Sequence, residues 1–194
     1  MPRAIDVNVR RAEIASAVRA VLERDGVDGV TMRNVAREFG STTGLLTHAV
    51  PNRMALIHLA LCVTVEEQIA RADEVLRRHP TDIVGAIEEF LPIDAQRQAE
   101  MKIWLGFWAF AISDEGLHCE QRDRYRELRR RLAEQLRQLG VDRSDAVRAS
   151  DHLIATTDGI AVAALFDPSH WTPGRQRRHL KEAVSLFVPL VQLN

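Results

Sequence analysis

Apolar residues recur along this chain at three- and four-residue intervals, the period of an α-helix, and no segment alternates in the manner of a half-buried strand. Ile14, Val18, Val21 and Leu22 form one such stripe, which Gly26 closes. Thr31 suits the N-cap of a short helix whose Val35, Ala36 and Phe39 share an apolar face. Gly40 ends that helix, because glycine enters left-handed backbone at little cost. Thr42 caps the next, with Leu46 and Val50 on one side and Thr43, Thr47 and His48 elsewhere. Pro51 stops it, and Asn52 caps the helix that follows. Two short helices around a glycine-containing turn, the second carrying small polar groups outside, fit a DNA major groove. The same pattern also serves as a plain packing unit in all-α proteins.

Beyond this head of about 50 residues the periodicity predicts a larger helical body, giving about nine helices in an all-α chain. One helix runs from Arg53 to about Arg78, before Pro80, and another spans about 82–91, before Pro92. Asp94 caps a third that continues to about Ile112, and a charged helix covers roughly 115–139 up to Gly140. Ser144 is the expected cap of the next, which reaches Phe166. Thr172 caps the last, with Pro173 at its favoured first position. The expected division is a helix-turn-helix head over 1–52 and a larger helical body over 53–194.

Composition adds limits. With 194 residues, 46% of them hydrophobic, there is enough apolar material for a substantial core. No apolar run approaches the roughly 18–20 residues of a membrane span, and the N-terminal residues lack a signal-peptide apolar region, so a cytoplasmic protein is expected. Cys62 and Cys119 are read as buried small hydrophobes rather than a disulfide or metal pair. The net charge of −1 divides unevenly: residues 1–53 hold eight arginines against six acids, net +2, and the remainder carries −3. Mildly basic heads on an acidic body are compatible with DNA binding, which depends on local phosphate neutralisation.

Gly26, Thr31, Val35-Ala36, Gly40, Thr42, Gly44, Leu46 and Asn52-Arg53 together resemble the tetracycline-repressor (TetR) family of one-component transcriptional regulators. IWLGFWAFA at 103–111, RDRYRELRRRL at 122–132 and TTDGIAVAALFDPSHWTP at 156–173 resemble the ligand-binding half of the subgroup typified by the choline/betaine-pathway regulator. The chain departs from the usual family pattern in the head. Thr47 and Ala49 replace two aromatics, Val50 a phenylalanine, Arg53 a lysine and Ser41 a valine, so other members' operator preference does not transfer.

The resemblance implies a regulator, repressor by default, that binds a palindromic operator as a homodimer and is released by a small-molecule effector. In the head, Thr42 and Thr47 would offer hydroxyls to phosphates and Arg53 a cation. Thr43, Leu45 and His48 would meet base edges, with Arg33 also in reach and Gly44 permitting close approach. The alternative is a helical ligand- or partner-binding protein that has kept the head without reading DNA.

Three features of the body bear on this. On the helix at 101–112, Met101, Trp104, Leu105, Trp108 and Ile112 form one stripe, with Ile103, Phe107 and Phe110 on another. Trp104, Phe107 and Trp108 either fill the core or line a ligand cavity in which Gly106 leaves room. A hydrophobic or cationic effector would suit them, since indole faces attract cations. In 155–166, Gly159 and Ala163 sit in an apolar run that suits either intrachain packing or a dimer interface shared with Leu180, Val184 and Phe187 of the last helix. Asp158 lies inside this run and needs a partner, from Thr156, Thr157, an arginine or an effector. In 122–132, Tyr125 and Leu128 begin a buried seam. The arginines read as a solvated face interleaved with acids, more than as a DNA patch.

Enzyme chemistry finds little support. Glu115 and His118 give one half of a di-iron carboxylate motif whose other half is missing, and the seven histidines show no ligand spacing on one helix face. No phosphate-binding glycine loop or nucleophile elbow is present. No catalytic residue, metal or cofactor is expected.

Overall fold

The computed structural model describes residues 7–188. Among these there are nine helices and no strand: α1 (Val7–Gly29), α2 (Met32–Glu38), α3 (Thr43–Ala49), α4 (Arg53–Arg78), α5 (Ile83–Glu88), α6 (Ala95–Ala111), α7 (Glu115–Gln138), α8 (Arg143–Phe166) and α9 (Pro173–Ser185). The chain forms two compact units. One contains the residues up to Glu67 together with Lys102–Ser113, and the other Gln68–Met101 together with the residues from Asp114 onward. The cuts therefore pass through α4 and α6, whereas the expected boundary stood before Arg53.

In the first unit local signals set each helix. Gly26 has φ 71°, which breaks α1 and leaves one further turn to Gly29. The Thr31 hydroxyl accepts from Asn34 N (3.2 Å) and the Thr42 hydroxyl from Leu45 N (3.2 Å), while Asn52 Oδ1 accepts from Ala55 N (2.9 Å). Gly40, at φ 68°, closes α2. Helices this short are marginal alone and depend on burial of an apolar face. Ile14, Val18 and Val21 of α1 meet that need together with Val35, Leu46, Val50 and Leu56, none more than 2% exposed. Two ion pairs join α1 to α4: Arg19 grips both oxygens of Glu67 (2.6 and 3.3 Å), and Arg11 reaches Glu66 (3.5 Å).

In the second unit α8 packs on α7 and α9, and α9 also on α5. The inward side of α8 is mostly small, with Ala146, Ala149, Ser150, Ala161 and Ala164 around Leu153 and Ile160, which allows close approach of its neighbours. A charged cluster ties α4, α5 and α6. Arg71 donates from Nε to Glu89 (2.6 Å) and from Nη2 to Glu100 (2.7 Å), and Arg97 donates to Glu89 (2.6 Å) and to Asp94. The Glu100 side chain is wholly buried and also accepts from Gln96 Nε2 (3.0 Å). Burial works against the charge on Arg71, but its bonds to Glu100 and Glu89 prevail and hold the guanidinium above its ordinary pKa.

Several expectations change. The N-cap of α8 is Asp142, which accepts from the backbone N–H groups of Ser144 (2.8 Å) and Asp145 (3.3 Å); Ser144 is already inside the helix. A carboxylate at this position satisfies two orphan amides and complements the positive end of the helix dipole. The fifth helix stops at Glu88, with hydrogen-bonded turns carrying the chain to Leu91. Ile112 lies past the end of α6 and is 81% exposed. Cys62 and Cys119 are only partly buried and form no disulfide with each other, and Cys62 Sγ lies 3.5 Å from His58 Nε2. No single helix among the described residues is long and apolar enough to cross a membrane.

Candidate nucleic-acid interface and ligand residues

α3 divides its side chains sharply. Leu46 is 1% exposed and anchors the helix, whereas Thr43, Gly44, Leu45, Thr47 and His48 all face outward, Leu45 at 50% exposure. A Cβ built on Gly44 would meet nothing within 4 Å, so the helix leaves open space there for another molecule's backbone. Arg33, on α2, is exposed as well. An open groove of about 950 Å³ flanks this surface, lined among others by Arg10, Glu13, Glu38, Thr42 and Leu45. With one arginine against two glutamates, the groove has little electrostatic attraction for a phosphate strand.

Two expected phosphate contacts look different in place. The Thr47 hydroxyl donates to the Thr43 carbonyl (2.7 Å), so it presents lone pairs outward and no hydrogen. Thr42 Oγ1 accepts its capping bond and keeps its own hydrogen to donate. Arg53 does not reach freely into solvent. Its Nε donates to the Val30 carbonyl (2.8 Å) and its Nη2 to the Val27 carbonyl (2.7 Å), joining the start of α4 to the corner between α1 and α2.

On α6, Trp104 (6% exposed) and Phe107 (1%) are core residues of the first unit, and the partly exposed Trp108 tilts against Trp104 with centroids 5.7 Å apart. The Trp108 indole N–H is buried and makes no hydrogen bond. In the second unit Asp158 Oδ2 accepts from the Tyr125 hydroxyl at 2.6 Å, so its partner is none of the candidates named from sequence. Burial pushes the Asp158 carboxyl pKa up, because only the Tyr125 hydrogen bond favours the charged form. The Tyr125 phenol is also pushed up, by burial and then by the neighbouring carboxylate.

Of the residues expected at a dimer interface, Leu180 and Val184 are fully buried within the chain and cannot meet a second copy. Their helical spacing marked the core-facing stripe of α9. Gly159 is exposed, and Ala163 and Phe187 are half-buried. Phe166 (80%) and Leu186 (69%) are the most exposed large apolar residues of α8 and of the turn after α9.

An N-terminal helix-turn-helix in a chain with nine helices among its described residues has clear relatives. The model of the C-terminal half of BetI-type transcriptional repressors matches residues 81–189, more than half of the chain. The chain belongs to this TetR-type family. Similar proteins of BetI type and their kin extend over the head too. The chain is 28% identical over 190 residues to the HTH-type transcriptional regulator PksA of Bacillus subtilis (strain 168), covering 95% of this chain and 92% of that one. It is 25% identical over 174 residues to the HTH-type transcriptional regulator BetI of Vibrio campbellii (87% and 86% covered). A transcriptional regulator from Rhodococcus sp. Rha1 superposes with a TM-score of 0.80 at 25% identity (91% and 95% covered). A putative regulator from Saccharomonospora viridis, solved in complex with choline, superposes with a TM-score of 0.77 at 20% identity (92% and 96% covered). This BetI-type chain is thus a transcriptional regulator.

Proposed function

We propose that this regulator acts in the cytoplasm as a homodimer on a palindromic operator, and leaves it when a small molecule binds. The outward set of α3 carries the reading. Leu45 is half exposed on a helix whose inward needs Leu46 already meets, and it suits a thymine methyl. Thr43 and His48 flank it for base edges with Arg33 also in reach, Gly44 allows close approach, and Thr42 supplies a hydrogen bond to the strand. Residues 1–52 act as the DNA-reading domain and the remainder as the effector and dimerisation domain. Two copies placing α3 about 34–36 Å apart, or a multiple of this, would read a two-fold symmetric site. The outward stripe of α8, with Gly159, Ala163 and Phe166, and then Phe187 after α9, offers the surface for the second copy.

For the effector, the residues favour a small molecule with an apolar or cationic group. Trp104, Phe107 and Trp108, in the first unit, are aromatic, and Trp108 holds an unused donor; Asp158, taken by itself in the second unit, is a carboxylate whose hydrogen-bond partner is the Tyr125 hydroxyl. The choline held by the Saccharomonospora viridis protein points the same way. Occupancy works by favouring one dimer state over the other, and a firm switch needs several kcal/mol of preference. The reading assigns no catalytic residue, metal or cofactor.

Selection from random duplexes with purified protein, followed by anisotropy titration at several salt concentrations, tests this. A selected palindrome bound far more tightly than scrambled DNA is expected. Equal binding to both at every salt concentration would refute sequence-specific reading.

A further inference from the structure

We propose that Arg53 and Phe110 form a positioning pair for the recognition helix, and that Arg53 is not a phosphate ligand. The reading rests on what surrounds the guanidinium. Its Nε and Nη2 donate to Val30 (2.8 Å) and Val27 (2.7 Å), both carbonyls of the corner that leads into α2. Asp28 Oδ1 stands 3.9 Å from Nη2. On a further side the Phe110 ring of α6 has its centroid 5.8 Å from Cζ, within the range of a cation–π contact. All of these residues lie in the first unit.

The geometry depends on arginine. Its planar fork can satisfy two carbonyls three residues apart while laying a face toward a ring. A lysine carries the same charge on one nitrogen and cannot reproduce that grip. Val30 O lies just past the end of α1 and has Arg53 as its donor, whereas Val27 O also accepts from Val30 N (3.2 Å), so the guanidinium adds to a single weak turn bond where regular helical bonding is interrupted at Gly26. The corner leads directly into α2, and α2 packs on α3. Whatever fixes the corner therefore fixes the angle at which α3 is presented. Phe110 in turn restricts where the guanidinium can sit, which makes the last turn of α6 part of the DNA-reading apparatus without touching DNA. Asn34 supports the same corner from the other side, its Nδ2 donating to Gly29 O (2.9 Å).

The test uses the full-length chain as Arg53→Gln, Arg53→Lys, Phe110→Ala and Phe110→Tyr, with two readouts. Amide hydrogen exchange over residues 26–34, without DNA, should speed up at least several-fold in Arg53→Gln, Arg53→Lys and Phe110→Ala, and return to the wild-type rate in Phe110→Tyr, which keeps the ring face. The salt slope of binding to a 30-base-pair duplex should be unchanged in Arg53→Gln, whereas loss of one phosphate contact lowers it by about 0.9. Wild-type exchange in Arg53→Gln or Phe110→Ala would overturn the pair, and so would a slope lowered by about one. The exchange readout needs no operator, so it decides the pair even if sequence-specific binding fails. Circular dichroism and the Phe110→Tyr rescue separate a local change from general unfolding.

Discussion

The two units hold their polar groups in opposite ways. In the first, polar side chains serve the backbone: Thr31, Thr42 and Asn52 cap helices, and Arg53 satisfies carbonyls at a broken corner. The groups left over face outward on α3. In the second, beside caps such as Asp142, polar side chains also serve one another in the interior, as Arg71, Arg97, Glu89 and Glu100 do across three helices. Apart from Arg53, which reaches back 23 and 26 residues, the first arrangement is local and leaves a surface ready for a ligand the size of DNA. The second is non-local and fixes how long helices lie together. The difference shows why a short stretch can announce a DNA reader while most of the body stays silent about its ligand.

The largest break should come from Glu100→Ala. Its carboxylate is fully buried against Arg71, and breaking such a pair leaves a charge short of a partner. Because Arg71 keeps Glu89, about 3 kcal/mol is expected, which is roughly a 6–12 °C fall in melting temperature for a chain of this size. A fall under about 2 °C would remove the cluster as the organiser of the second unit. Thr31→Ala should cost about 1 kcal/mol, the usual value of an N-cap, and raise exchange in α2 while leaving α8 untouched. Uniform loosening of both units would contradict the contrast drawn above.

Asp158→Asn should act in the opposite direction. The folded state holds this carboxyl above its ordinary pKa, so its contribution favours folding below the ordinary carboxylate range and is lost as pH rises through the folded value. At neutral pH the uncharged variant should therefore melt slightly higher than wild type, and the gain should vanish as pH falls below about 4. A variant less stable at every pH would mean that the Tyr125 bond outweighs the cost of burial. Smallest of all in stability is Leu45→Ala, within about 0.5 kcal/mol of wild type because the side chain is half exposed. The same change should weaken operator binding measurably, and unaltered affinity would take Leu45 off the interface.

What the sequence made legible follows the same line. The caps, the breaks at Gly26, Gly40 and Gly140, and the outward polar set of α3 were readable because each depends on residues within four positions of one another. The Tyr125–Asp158 bond joins residues 33 apart, and Arg71 meets Glu100 across 29, distances over which periodicity carries no information. A lone acid such as Glu100, inside α6 just before its apolar stretch, was the one available signal, and it names no partner. Leu180 and Val184 show a further limit: spacing identifies a stripe that must be covered, but not whether its cover comes from the same chain. Arg53 was placed at the right corner, yet its partners there are carbonyls that no side-chain pattern displays.

Gly159 sits in the middle of α8, exposed, and a Cβ added to it would meet nothing within 4 Å of this chain. A glycine inside a helix is about 1 kcal/mol less favourable than alanine, so the single chain bears that penalty for no benefit of its own. If the second copy is the beneficiary, the residue sets chain against assembly. Gly159→Ala would give a sturdier protomer and a looser pair, and half-saturation of the operator would shift to higher protein concentration. In a cell that makes little of this protein, one methyl group would then decide how much of it must be present before the gene falls silent.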